Sequence, residues 1–143
     1  MNPFPFSTKE WQLVSESSLA LTNATLADDE VLRTSQFAEL QAVLAELRAE
    51  HGEHPVLLET EADFEDEPSR RLVLYRAALH VAEEHDLPTL SIRISLASVL
   101  LEDFANTKAA AKELTACQAE LDIYGDDWDC AEWLRLLDCC QSA

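Results

Sequence analysis

Apolar residues recur at helical spacing through almost the whole chain, and strand-like alternation is nearly absent. A period of 3.6 residues returns every third or fourth side chain to one face, so each such segment reads as an amphipathic helix that must bury a stripe. Trp11, Val14, Ser18 and Leu21 share a face early in the chain, and Phe37, Leu40, Leu44 and Leu47 share one further on. Leu72, Tyr75, Leu79 and Ala82 form another stripe, as do Ala110, Leu114, Cys117 and Leu121. Between Leu90 and Leu101 two faces are apolar: Leu90, Ile94, Ala97 and Leu101 on one, Ile92, Leu96, Val99 and Leu100 on the other. That pattern predicts a helix buried between neighbours. The run Ser91-Ile92-Arg93-Ile94-Ser95 alternates like a strand but is too short to outweigh the helical pattern around it. On the last segment Trp128, Ala131, Leu134 and Leu137 are predicted to face inward. The fold class is all-α.

Local signals divide these stripes into about seven helices. Ser7-Thr8-Lys9-Glu10 has the spacing of a capping box, with the Ser side chain reaching forward and the Glu side chain reaching back. Asn23-Ala24-Thr25-Leu26 reads as a short break before a long helix from about Ala27, whose first turn holds Asp28, Asp29 and Glu30, where the helix dipole favours negative charge. Gly52 closes that helix in a left-handed conformation. Pro55, Pro68 and Pro88 mark three further starts, because a proline in the first turn has no N–H to leave unsatisfied. One helix is predicted from about Asn106 to Tyr124, stopped by Gly125, and Asp126 caps the last. The 143 residues suit a single domain. It divides into a helix pair over 7–51, a second over 54–86, a third over 88–124 and a capping helix over 126–140. Connections this short make successive helices antiparallel neighbours.

Charge narrows the partners. Against 10 Lys and Arg stand 28 Asp and Glu, a formal net charge of −18. Such a chain repels phosphates, which excludes unspecific binding to DNA, RNA or an anionic leaflet. The acidity has two readings. It is spread for solubility in concentrated salt, or it is directed at a basic partner, with the denser patches at Glu59–Glu67 and Asp126–Asp129. With only 2 Gly and 5 Pro, a β-sandwich or collagen-like chain is out. No stretch approaches the ~18–20 apolar residues of a membrane span, and the opening Met1–Phe6 lacks the basic and apolar regions of a secretory signal. Cys117, Cys130, Cys139 and Cys140 read as reduced, partly buried thiols, which places the chain in the cytoplasm.

Superposing the block from Pro55 to His85 on that from Pro88 to Tyr124 brings small residues into register. Ala62 matches Ala97 at an offset of about 35 residues and Ala78 matches Ala116 at about 38. Small side chains at those positions let adjacent helices approach closely. These blocks resemble tetratricopeptide repeats. Ala97 in Leu96-Ala97-Ser98-Val99-Leu100 stands at the small position of the family's first helix, and Ala109 follows at the place of its second Ala. Leu74-Tyr75-Arg76-Ala77-Ala78-Leu79 looks like the aromatic-x-x-Ala-Leu of the second helix, shifted by one residue, and Pro88 matches the proline between repeats. The first block is short between Ala62 and Ala78, the second lacks an aromatic at Glu113 or Leu114, and 7–51 fits by helix length only. The resemblance implies a right-handed stack of helix pairs with a concave surface that binds a peptide or protein segment.

If first helices line that groove, its polar residues are Glu59, Asp63, Arg93, Ser98 and Glu102; a solvated face without a ligand is the plain alternative. Trp128 and Trp133 are five residues apart on one helix, which leaves one ring for an interface, and Trp133 joins the partner-binding set. In Pro3-Phe4-Pro5-Phe6 two rings need cover, either as a staple on the first helix or in the groove of a second copy, giving a homodimer. His51 and His54, with Glu50, read as exposed turn residues rather than metal ligands. His80 and Glu84 sit one turn apart and support an alternative metal-binding or enzymatic bundle. The adjacent Cys139 and Cys140 do not match zinc or thioredoxin spacing. With two glycines there is no phosphate loop or nucleophile elbow, so no catalytic residue, metal or cofactor is expected. The function expected is a non-catalytic, cytoplasmic adaptor or chaperone-like module that binds a protein or peptide, in particular a basic one. An acidic inhibitor of immunity type, masking a basic partner, is the alternative.

Overall fold

The computed structural model describes residues 2–142, and they form eight helices with no strand among them. These are α1 (Thr8–Leu26), α2 (Glu30–His51), α3 (Pro55–Phe64), α4 (Pro68–Glu84), α5 (Leu90–Glu102), α6 (Thr107–Ala116), α7 (Gln118–Tyr124) and α8 (Asp127–Ser142). The chain divides into two compact units, Met1–Leu57 and Leu58–Ala143. The division falls inside α3.

In the first unit α1 and α2 pair along their stripes, burying Val14, Leu21 and Ala24 against Leu40, Leu44 and Leu47. The capping box forms as predicted: the Ser7 hydroxyl accepts from the Glu10 amide at 3.1 Å and Glu10 Oε1 accepts from the Ser7 amide at 2.8 Å. Phe6, just before the cap, stacks on Trp11 one turn later with ring centroids 5.5 Å apart, a hydrophobic staple that fixes how the chain enters α1. Phe4 packs edge-on to the same indole. Of the two readings of Pro3–Phe6, the structure shows the staple.

The predicted break at Asn23–Leu26 does not occur. Thr25 turns its hydroxyl back to the Leu21 carbonyl at 3.0 Å, Ala24 is buried, and the helix runs to Leu26. The turn comes at Ala27–Asp29, with Asp28 at φ 55° and Asp29 capping α2 by accepting from the Leu32 amide. Asp28 therefore lies outside the helix rather than in its first turn. Gly52 ends α2 at φ 80°, a conformation that strains any residue with a Cβ.

In the second unit α5 is the centre, packed against α4, α6 and α8. Leu90, Ile92, Ile94, Leu96, Ala97, Val99 and Leu100 are all buried, so both of its apolar faces are covered as predicted. Ala62, Ala78 and Ala97 have no exposed surface, as close helix contacts require, but Ala116, matched to Ala78 in the sequence, is exposed, and the fully buried alanine of α6 is Ala110. The predicted 106–124 helix is two helices. At Cys117 the backbone swings to φ −100°, ψ 6°, and beside this break the Trp133 indole N–H of α8 donates to the Leu114 carbonyl at 2.9 Å. That carbonyl would otherwise serve the amide four residues on, and a side chain inserted into the ladder bends a helix.

The inward face of α8 also differs. Leu136 is fully buried, and Cys130, Trp133, Leu137 and Cys140 pack against the core, whereas Trp128, Ala131 and Leu134 face out. Both stripes are apolar, and the one that turns in satisfies the Trp133 N–H. Asp126 caps α8 as predicted, accepting from the Asp129 amide at 2.8 Å while Asp129 accepts from the Asp126 amide at 3.2 Å.

Candidate functional site

Two clefts open on the second unit, and α5 contributes to both. At the N-terminus of α5 a cleft of about 540 Å³ is lined by Glu83, Thr89, Arg93, Glu120 and Tyr124, among others. Thr89, the residue before the helix, makes no capping bond with its own side chain. Glu120, from α7, supplies the cap: its carboxylate accepts from the Thr89 amide at 2.8 Å, the Leu90 amide at 3.0 Å and the Thr89 hydroxyl at 2.5 Å. A carboxylate there satisfies amides that the first turn leaves open and lies at the positive end of the helix dipole. Arg93 reaches the Glu113 carboxylate at 2.6 Å and that of Glu83 at 3.7 Å, with Nε donating to the Thr89 hydroxyl. The charges of this cleft are largely committed to one another.

Glu120→Ala removes the acceptor for two amides and a hydroxyl next to a buried threonine. It is expected to destabilise the fold by about 1 kcal/mol, read as a lower urea midpoint. An unchanged midpoint would mean that water in the cleft replaces the carboxylate fully.

The second cleft, about 290 Å³, lies where α3, α4, α5 and α8 meet and is lined by Asp63, Arg71, Tyr75, Ser98, Trp128 and Glu132, among others. Tyr75 is on the inward stripe of α4 and only 1% exposed. Its hydroxyl emerges at the edge of the core and donates to Asp63 at 2.5 Å. Burial, and then the neighbouring carboxylate, push the Tyr75 phenol well above its usual range, so it stays protonated and a donor. The surrounding protein raises the Asp63 carboxyl above the ordinary carboxylate range, against the opposing pull of the Tyr75 bond and Arg71. Arg71 lies over the Tyr75 ring at 5.9 Å, donates to the Ala62 carbonyl and faces Asp103 at 3.8 Å, so its charge is already shared. Trp128 lines the cleft and is 67% exposed.

Of the groove residues predicted from sequence, Asp63 and Ser98 meet in this second cleft. Glu59 lies one turn earlier on α3, half-buried beside Ser91, and burial pushes its carboxyl up to about 7. Arg93 lines the other cleft. Glu102 is exposed and pairs with Arg135 at 2.9 Å, and Arg135 also binds Glu132 at 2.6 Å. Trp133 is tethered to Leu114 within the core packing, which leaves Trp128 as the exposed ring. Tyr75 and Glu120 were not legible as site residues, because their partners lie 12 and 31 residues away.

The histidines behave differently from their reading as exposed turn residues. His54 is 4% exposed. Its Nε2 faces the Asn2 carbonyl at 3.2 Å and its Nδ1 accepts from the Val56 amide at 3.2 Å. His51 is half-buried, with Nε2 2.8 Å from Glu10 Oε2. Phe6 packs its ring edge-on against both imidazoles. His80 and Glu84 pair at 3.2 Å on the exposed face of α4, and no third ligand joins them among the described residues. All four cysteines are free; burial pushes the Cys117 thiol up to about 11, and Cys139 is exposed. No described helix is long and apolar enough to cross a membrane.

The chain matches no known protein family, no curated protein and no solved structure. The resemblance to tetratricopeptide repeats therefore rests on the residues quoted for it.

Proposed function

We propose that this chain is a non-catalytic, cytoplasmic protein-interaction module of tetratricopeptide-like build that holds a basic segment of a partner protein at the cleft lined by Trp128. In this reading the helix pairs stack with a right-handed turn, and the first helices α3 and α5 line the contact surface. One observation carries it: a 67% exposed indole lines the same cleft as the carboxylates of Asp63 and Glu132 in a chain of net charge −18. An aromatic face beside carboxylates suits a Lys or Arg side chain, which stacks on the ring while its charge is met by the acids. Asp63, whose charge is disfavoured by the protein around it, gains from an incoming cation. The remaining acidity raises the capture rate of a basic partner without adding contacts.

The test is a pull-down from host lysate together with binding of a labelled Lys- and Arg-rich peptide, at salt from about 0.05 to 0.5 M. The reading predicts one stoichiometric basic partner released by salt, and a loss of peptide affinity of about tenfold in Trp128→Ala. A variant that binds as tightly as the parent, or a peptide that binds no better than an acidic one, would reject it.

A further inference from the structure

One side-chain cluster in the first unit plays no part in the partner-binding reading. Glu10 on α1 and Glu50 and His51 at the end of α2 bring two carboxylates and an imidazole together, with one ligand atom from each lying within 4.8 Å of the others. The donors come from two helices far apart in sequence, so their convergence is a product of the α1–α2 pairing. Two of the three are already held in place. Glu10 Oε1 is fixed by the Ser7 amide of the capping box, which leaves Oε2 pointing at His51. The His51 ring is packed edge-on against Phe6, 5.1 Å between centroids. Support of this kind around the ligand residues is what orients donors for a metal before it arrives.

We propose that Glu10, Glu50 and His51 form a binding site for a divalent transition ion of the zinc class, with water completing the shell. Two carboxylate oxygens and an imidazole nitrogen are a borderline donor set. That set suits Zn²⁺ or its first-row neighbours and is unsuited to Ca²⁺ or Mg²⁺, which take oxygen throughout. The ion takes the place of the hydrogen between His51 Nε2 and Glu10 Oε2: the neutral ring coordinates through Nε2 with its one proton on Nδ1, and any further ring proton is released to solvent. At zinc bond lengths of about 2.0–2.1 Å two tetrahedral donors stand about 3.3 Å apart. The observed 2.8 Å gap therefore opens by about half an ångström, within reach of two side chains. The net charge of −18 raises the local concentration of any cation at this surface.

Calorimetric titration of the full chain with Zn²⁺ tests the site. The expected result is one ion per chain with micromolar affinity, a rise in Tm on loading, and no competition from millimolar Ca²⁺. Glu50→Gln, an exposed change at a helix end that leaves the fold intact, is expected to weaken binding at least about tenfold, and His51→Ala more. Cys139→Ser is expected to leave binding unchanged, which separates the site from the exposed thiol. The proposal is overturned by an absence of saturable binding, by affinity that survives Glu50→Gln, by displacement with Ca²⁺, or by loss of binding in Cys139→Ser.

Discussion

Glu59→Gln is expected to make the protein more stable than the parent at pH 8 by about 1–3 kcal/mol, and to leave it unchanged at pH 4. The Glu59 carboxyl is pushed from an ordinary 4.5 to about 7, first by burial and further by Asp63, while the Ser91 hydroxyl pulls the other way. The native state thus holds this proton more tightly than the unfolded chain does. Below 4.5 both states are protonated and the group's contribution is fully present. Between 4.5 and about 7 the unfolded chain has released the proton and the native state has not, so stability falls as pH rises. Above 7 the native state carries a desolvated carboxylate. Gln has the same shape, keeps a partner for Ser91 and never ionises, so the falling limb should vanish. Carboxylates other than its neighbour Asp63 titrate alike in both proteins and cancel in the difference. Urea midpoints at pH 4, 6 and 8 decide it, and parallel curves for parent and variant would show that Glu59 is solvated in the native state.

The second large effect concerns close packing at the centre of α5. Ala97 has no exposed surface, on a helix whose buried residues face neighbours on several sides. Ala97→Leu adds three heavy atoms where the interior is already at crystal density. It is expected to destabilise the fold by about 1–3 kcal/mol, lowering Tm by several degrees. Ala49→Leu, on the exposed face of α2, is the control and should change stability by less than about 0.5 kcal/mol. Equal melting temperatures for Ala97→Leu and the parent would mean that the neighbouring helices give way, and the small-residue register between Ala62 and Ala97 would lose its packing rationale.

The same physics separates what was legible in the sequence from what was not. Helix class and most helix ends follow from interactions that span four residues or fewer. The Ser7–Glu10 box, the Gly52 stop, the prolines at the starts of α3 and α4, and the Asp126 cap are each complete within one turn, and each stands where the sequence places it. The two apolar faces of α5 likewise predict its central position, because any helix apolar all round has to be covered. The candidate cleft was half legible. Asp63 and Ser98 are polar groups on helices with apolar stripes and so stand out, whereas Tyr75 looks like an ordinary core aromatic until its hydroxyl is seen to meet Asp63.

Only the tertiary structure chose among locally equivalent options. On α8 the stripe through Trp128, Ala131, Leu134 and Leu137 and the stripe through Cys130, Trp133, Leu137 and Cys140 are both apolar, and hydrophobicity alone does not rank them. The choice falls to the stripe that gives the Trp133 N–H an acceptor, the Leu114 carbonyl, since a buried donor without a partner costs about 1–3 kcal/mol. That single hydrogen bond accompanies the break at Cys117 and leaves Trp128 exposed, lining the same cleft as Asp63. The fold class and the helix ends belong to the sequence by itself, because a turn of helix contains its own signals. The face each helix buries, and hence which residues remain free to bind, depends on partners supplied from elsewhere in the chain.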